Sequence, residues 1–335
     1  MEQKAFAYSE QDARVVEIYK EFIPPKVFDA HTHMYCAEDI PGLADSNGIF
    51  CRSQGTYRDY QADMGFFLPG AQEVRMNMMP LPNAGMYDLA NGRRDHANTF
   101  IERQLDDFPG NVGAPYIFPS DTEEDIWRML AHSGMRAIKV YCFAASPRAD
   151  YNTCQPPEFI PEAAWRVSSQ TGFPIVLHMM KPYALSDEGN LKYIVEMAKR
   201  YPDARLILAH CARAFAAWTV LKSIDKLAGL DNIWFDMAAI CEPTPIAACI
   251  AHTAGERILW GSDYPICMHK GKAFSLDDSF YWLTGKPLEA LGMESGYLAG
   301  ENLLAFYLSA KLLDLDQTQI DRIFYNNAMT LFGIV

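Results

Sequence analysis

Residues 27–35 read Val-Phe-Asp-Ala-His-Thr-His-Met-Tyr. The segment follows Pro24-Pro25 and is apolar apart from three chemically active side chains, which predicts a strand buried on both faces. Side chains alternate along a strand with period two, placing Asp29, His31 and His33 on one side. Two neutral imidazoles converging on one point can ligate Zn²⁺ or a similar ion. An aspartate two residues earlier can buttress a ring as hydrogen-bond acceptor. Chance also puts two histidines in one strand, so the rest of the chain must decide.

Outward from this strand, apolar runs recur about every 25 to 40 residues, each followed by a loop and an amphipathic segment, the rhythm of βα repetition. The predicted strands are 27–35, 74–81, 112–118, 137–142, 174–179, 206–211, 232–237 and 258–261. Predicted helices lie at 95–107, 123–133, 161–171, 189–200, 214–226 and 245–254. Eight units favour an α/β fold closed as a (β/α)₈ TIM barrel, and no Gly-rich phosphate loop follows any strand. Ser9-x-x-Asp12 reads as a capping box opening a helix to about Phe22, packed outside the barrel. The expected organisation is one barrel domain over 1–335, with 1–26 a helical extension and 27–335 the barrel. The connections 36–73, 143–160 and 263–288, after strands 1, 4 and 8, are long. In barrels such loops shape the substrate pocket.

Composition narrows the partners. The 335 residues carry 42 acidic and 29 basic side chains, a net charge of −13, with no Lys/Arg run. This field opposes nucleic acid and anionic membranes. Eight cysteines form no CxxC pair, which suits reduced thiols in a cytoplasmic enzyme. The first twenty residues have no apolar core of a signal peptide, and no long uncharged stretch suggests a membrane span. A small, anionic substrate and a homo-oligomer are the expected partners.

Three further polar groups sit at strand tips. His178 ends Ile175-Val176-Leu177-His178, His210 ends Leu208-Ala209-His210, and Asp263 follows Gly261-Ser262. In a barrel these tips converge on the catalytic face. With Asp-x-His-x-His on the first strand and Gly-Ser-Asp-Tyr-Pro after the eighth, the chain resembles the amidohydrolase superfamily, in its amidohydrolase 2 branch. That branch includes lactonases and aminocarboxymuconate semialdehyde decarboxylase. The resemblance runs from Val27 onward, through Gly134-Met135-Arg136-Ala137-Ile138-Lys139-Val140 to Asn327-Ala328-x-x-Leu331-Phe332-Gly333.

The resemblance implies His31, His33 and His178 as ligands of one divalent metal ion. Asp263 would be a ligand or the base that takes a proton from metal-bound water, and His210 would hydrogen-bond the reacting group. Three imidazoles and a carboxylate suit Zn²⁺, with Mn²⁺, Fe²⁺ and Co²⁺ as alternatives. The activity implied is hydrolysis of a lactone, ester or amide of a small carboxylate, with non-oxidative decarboxylation of an unsaturated or aromatic acid as the alternative. A silent barrel with a structural ion would need neither an open coordination position nor an adjacent base. Lys139 would form an interior ion pair, with Asp236 as candidate partner, hold an anionic substrate, or carry a metal-bridging carbamate. Arg213, just past His210, is placed to bind a carboxylate, with Arg52, Arg58, Tyr141, Trp218 and His269 as further pocket residues. His96, His132 and His252 read as helix-face or surface residues.

Overall fold

The computed structural model describes residues 6–41, 52–145, 150–277, 279–284, 290, 292 and 294–334. Eight parallel strands run in chain order: β1 (Lys26–Cys36), β3 (Glu73–Pro80), β4 (Val112–Gly113), β5 (Ile138–Val140), β6 (Ile175–Leu177), β7 (Leu206–Leu208), β8 (Ile233–Asp236) and β9 (Ile258–Leu259). Each pairs with its predecessor within two sheets, β1-β3-β4 and β5 through β9, and a short strand, β2 (Gln54–Gly55), lies antiparallel on the end of β1. Two seams join the sheets into a (β/α)₈ barrel. Parallel bridges link Gly113 to Met135 and Tyr116 to Lys139. At the other seam the His33 N–H donates to the Tyr264 carbonyl at 2.7 Å and the Asp263 N–H to the His31 carbonyl at 2.9 Å.

Most strands are shorter than their apolar runs. Ile175, Val176 and Leu177 stay in ladder register, whereas His178 lies beyond the last pair. Leu206–Leu208 gives way to four consecutive residues, His210 to Arg213, with φ of 55°, 54°, 60° and 55°. Left-handed backbone costs roughly 1–2 kcal/mol per L-residue, so this run persists only because its surroundings impose it. Apolarity reports burial, and His210 to Ala212 remain buried after the ladder ends, whereas His178 and Arg213 are half-buried.

The helices cover the outside. The Ser9 capping box forms as expected, with the Asp12 N–H donating to Ser9 Oγ at 3.2 Å and the Ser9 N–H to Asp12 Oδ2 at 2.8 Å. It opens α1 (Glu10–Tyr19), which a 3₁₀ turn extends to Phe22. Asp12 also accepts the Tyr297 N–H at 2.7 Å, tying α1 to the C-terminal region. The predicted helix 214–226 is broken into Ala217–Leu221 and a 3₁₀ turn at Ile224–Leu227. The barrel floor is closed by Phe28 stacked on Phe332, ring centroids 5.3 Å apart, with Ala30, Val176, Ile207 and Leu259 around them. The catalytic end lies opposite.

Parts of all three long connections, residues 42–51, 146–149, 278 and 285–288, fall outside the described residues. The rest of the first contains β2 and the helix Tyr57–Met64. The last contains a hairpin, β10 (Gly271–Leu276) and β11 (Ser279–Thr284), absent from the sequence expectation. No helix among the described residues is long and apolar enough to cross a membrane.

Candidate metal centre

Strand tips build the site from both sides of a barrel seam. β1 presents His31 and His33, whose Nε2 atoms are 3.2 Å apart. Asp263, just past β9, places Oδ1 3.5 Å from His31 Nε2 and 3.4 Å from His33 Nε2. The other ring nitrogens fix the tautomers. His33 Nδ1 lies 2.9 Å from the Pro80 carbonyl, which can only accept, so Nδ1 carries the proton. His31 Nδ1 donates to Asp236 Oδ2 at 2.9 Å. Both Nε2 atoms therefore turn lone pairs toward each other and toward a carboxylate oxygen. No donor sits among them, whereas a shared cation satisfies all three. Nitrogens ~2.0–2.1 Å from one ion stand about 3 Å apart, as these do. The buried His31, His33 and Asp263 set can thus hold a divalent metal.

Burial lowers the proton affinity of His31, His33, His178 and His210, most strongly at His178, and keeps the rings neutral as ligands must be. Burial disfavours ionisation of Asp263, and positive charge at the imidazoles of His210, His33 and His31 would hold its carboxyl well below the usual range; with the rings neutral, that charge falls to a bound cation. Asp236 likewise overcomes burial. The His31 ring and the His210 N–H hold it down to about 2, with a further N–H from Ala238 at 3.1 Å.

Asp29 is not the ring buttress expected from the sequence. A register shift between Asp29 and Thr32 interrupts the alternation, and Asp29 accepts the His31 and Ser262 backbone N–H groups and the Tyr60 hydroxyl. Asp236, from β8, takes that place. A carboxylate at another strand tip was the available signal.

A cavity of about 570 Å³ opens above this cluster, with His33, His178, His210 and Asp263 at its base. Tyr141, Phe143, Phe215 and Trp282 form aromatic walls, Trp282 coming from β11. The His178 ring lies tilted at 31° against that of Tyr141, centroids 4.4 Å apart, and is 4.9 Å from the ring of His210. The His210 Nδ1–H donates to the Ala238 carbonyl at 3.0 Å, leaving Nε2 available. Arg213 also lines the cavity. Its Nη1 donates to the Lys181 carbonyl at 2.9 Å and its guanidinium lies over the Phe280 ring, with no carboxylate partner among the described residues.

Lys139 is completely buried, and its Nζ has no hydrogen-bond partner among the described residues. The expected Asp236 ion pair does not form as a hydrogen-bonded contact, because Asp236 is engaged by His31 and the backbone. Burial brings the Lys139 amine down to about 8, opposed by the fields of Asp236 and Asp263. The orphaned Nζ leaves one buried donor for an anionic group.

Arg52 is engaged away from the cavity. It makes a two-pronged pair with Asp63, Nε to Oδ2 at 3.1 Å and Nη2 to Oδ1 at 2.6 Å, and Asp63 also accepts the Tyr264 hydroxyl at 2.9 Å. Because Asp63 is 3 % exposed, Arg52→Met strands a buried charge. The variant should lose about 3–5 kcal/mol in chemical denaturation. An unchanged unfolding midpoint accompanied by a raised KM would return Arg52 to the substrate. His269 donates from Nδ1 to the Ile266 carbonyl and does not line the cavity. Arg58 lies over Phe108, and Trp218 packs near Tyr183 and Lys222.

Gly261 permits the close approach of β9 to β1. A Cβ there would stand 2.9 Å from His31 Cβ and 3.3 Å from Ala238 Cβ. Neither neighbour is a flexible chain end, so Gly261→Ala should lose about 1–3 kcal/mol in denaturant and bind metal less tightly. Full metal content at wild-type stability would show that the seam tolerates the methyl group.

Residues 29–334 match the amidohydrolase family model Amidohydro_2. Among curated proteins none matches the chain. Similar solved structures include an amidohydrolase from Burkholderia multivorans, at 11 % identity and a TM-score of 0.61, covering 92 % of this chain and 99 % of that one. The 5-carboxyvanillate decarboxylase of Sphingomonas paucimobilis is 13 % identical, with a TM-score of 0.59 and coverage of 93 % and 100 %. The 4-oxalomesaconate hydratase of Rhodopseudomonas palustris is 14 % identical, with a TM-score of 0.58 and coverage of 92 % and 95 %.

Proposed function

The chain belongs to the amidohydrolase family, a family of metal-dependent enzymes, and from that premise we propose that it hydrolyses a lactone, ester or amide bond of a small carboxylate. The observation that carries this reading is the position of Asp263, an ionised carboxylate at the base of the cavity facing the imidazoles of His31, His33 and His210. Such a group accepts a proton and has none to donate. His31, His33, His178 and Asp263 would hold the ion, Zn²⁺ by its donor set. When bound, a divalent ion supplies Lewis acidity, lowering the pKa of water to about 7 and polarising a carbonyl. Asp263 takes the proton from the attacking water and returns it to the leaving group. His210, fixed through Nδ1, presents Nε2 to the reacting oxygen. Arg213 holds the substrate carboxylate, Lys139 offers a second positive charge, and Tyr141 forms a wall. The aromatic walls exclude water and favour a flat substrate body.

A panel of lactones, esters and amides of small acids, scored by acid release, tests this reading. Arg213→Met should raise KM for the best substrate about thirtyfold or more, the loss expected when a desolvated charge pair is cut, with kcat changed less. An equal effect on substrates lacking a carboxylate would remove Arg213 from that role. The aromatic walls favour a second reading, decarboxylation of an aromatic or unsaturated acid. CO₂ release from such acids, without acid release from the hydrolysis panel, would replace the first reading by the second.

A further inference from the structure

Three residues beyond His33, the end of β1 meets a second cluster of ligand-type side chains. Cys36 Sγ lies 3.3 Å from Asp39 Oδ2 and 3.8 Å from His96 Nδ1. His96 Nδ1 is 2.8 Å from Asp39 Oδ1, and its Nε2 is 3.8 Å from Glu38 Oε2. Ligand atoms of Cys36, Glu38 and His96 all fall within 4.8 Å of one another. A sulfur ~2.3 Å and a nitrogen ~2.0–2.1 Å from a tetrahedral ion stand about 3.5 Å apart, close to what these side chains show.

We propose that Cys36, Asp39 and His96, completed by Glu38, form a second divalent-metal site, separate from the catalytic cluster and selective for Zn²⁺. Charge supports it independently of distance. Asp39 is buried, 2 % exposed, beside Glu38, and among the described residues neither carboxylate meets a lysine or arginine. Two negative charges with one imidazole leave a local excess that a divalent cation neutralises. The mixed sulfur, nitrogen and oxygen donors select Zn²⁺ over Mg²⁺ or Ca²⁺, which take oxygen alone. Without an ion, burial and the Asp39 carboxylate keep the Cys36 thiol protonated, its pKa pushed up to about 11. Coordination releases that proton. His96 is half-exposed and Glu38 stands in solvent, giving the ion a way in.

The site joins elements sixty residues apart. Cys36 ends β1, Glu38 and Asp39 form the turn that begins the first long connection, and His96 sits in the helix Arg93–Asp107. Zn²⁺ here would clamp the root of that connection beside the catalytic bowl, a structural role with all positions filled by protein. His96, read from the sequence as a helix-face residue, becomes a ligand.

Cobalt distinguishes the two sites, because the catalytic cluster contains no sulfur. Metal-stripped protein titrated with Co²⁺ should take up two equivalents, one producing a sulfur-to-cobalt charge-transfer band in the near ultraviolet that Zn²⁺ abolishes. Cys36→Ser and His96→Ala should each lose the band and one equivalent while keeping the other. The band should survive in His31→Asn, which impairs only the catalytic cluster, and in Cys211→Ser, which breaks the buried thiol pair with Cys249. Saturation of wild type at one equivalent without the band, or a band that persists in Cys36→Ser, would overturn the proposal. So would Zn²⁺ failing to displace the cobalt.

Discussion

Asp263→Asn should yield a folded protein whose turnover falls about a thousandfold, the middle of the range for removal of a positioned general base. The substitution suits the backbone, since Asp263 sits at φ 63°, a region Asn tolerates as well as Asp. The amide keeps the shape of the carboxylate and can still turn an oxygen toward the ion, but cannot take the proton of the attacking water. Its effect should therefore appear in kcat, with KM changed less. Metal content and thermal unfolding, measured on the same preparation, separate lost chemistry from lost structure. A metal-loaded variant turning over within tenfold of wild type would remove Asp263 from the base role.

Asp236→Asn should weaken metal binding about 10- to 100-fold, the usual consequence of altering the group that orients a ligating imidazole. Asp236 accepts from the His31 ring at 2.9 Å and, through its other oxygen, from the backbone of His210 and Ala238 at 3.0 and 3.1 Å. One carboxylate thereby fixes the tautomer of one active ring and the backbone of another. Asn can accept through one oxygen only, and its amide opposes the backbone N–H groups or the ring N–H, whichever it faces. Chelator competition gives the dissociation constant directly. Affinity within twofold of wild type would mean that His31 needs no carboxylate behind it.

Much of this was legible in the amino-acid order because burial writes itself as apolar runs. All eight strands lie at the predicted intervals, β1 running one residue past each end, β3 past one, and the other six inside. The capping box at Ser9 formed, and the tips carrying His33, His178, His210 and Asp263 meet around one cavity, with His31 beneath it. Local pattern was mute where tertiary neighbours decide. The bulge that diverts Asp29 depends on pairing with β3. The left-handed turn at His210 to Arg213 contains no glycine to announce it. The hairpin bearing Trp282 lies in a connection too irregular for period counting. Arg52 looked free because its partner Asp63 follows eleven residues later on another element, and charge alone cannot say which carboxylate an arginine will choose.

The seam between β1 and β9 has a consequence for biosynthesis. His31 and His33 emerge early from the ribosome, whereas Asp263 follows more than two hundred residues later, and the hydrogen bonds joining the two segments form only when the barrel closes. Contacts this distant in sequence are costly to make early. A nascent or truncated chain ending before residue 263 would display two imidazoles without the carboxylate opposite them. High-affinity capture of the catalytic ion would then mark a completed barrel, and metal uptake would double as a test of whether the chain has finished folding.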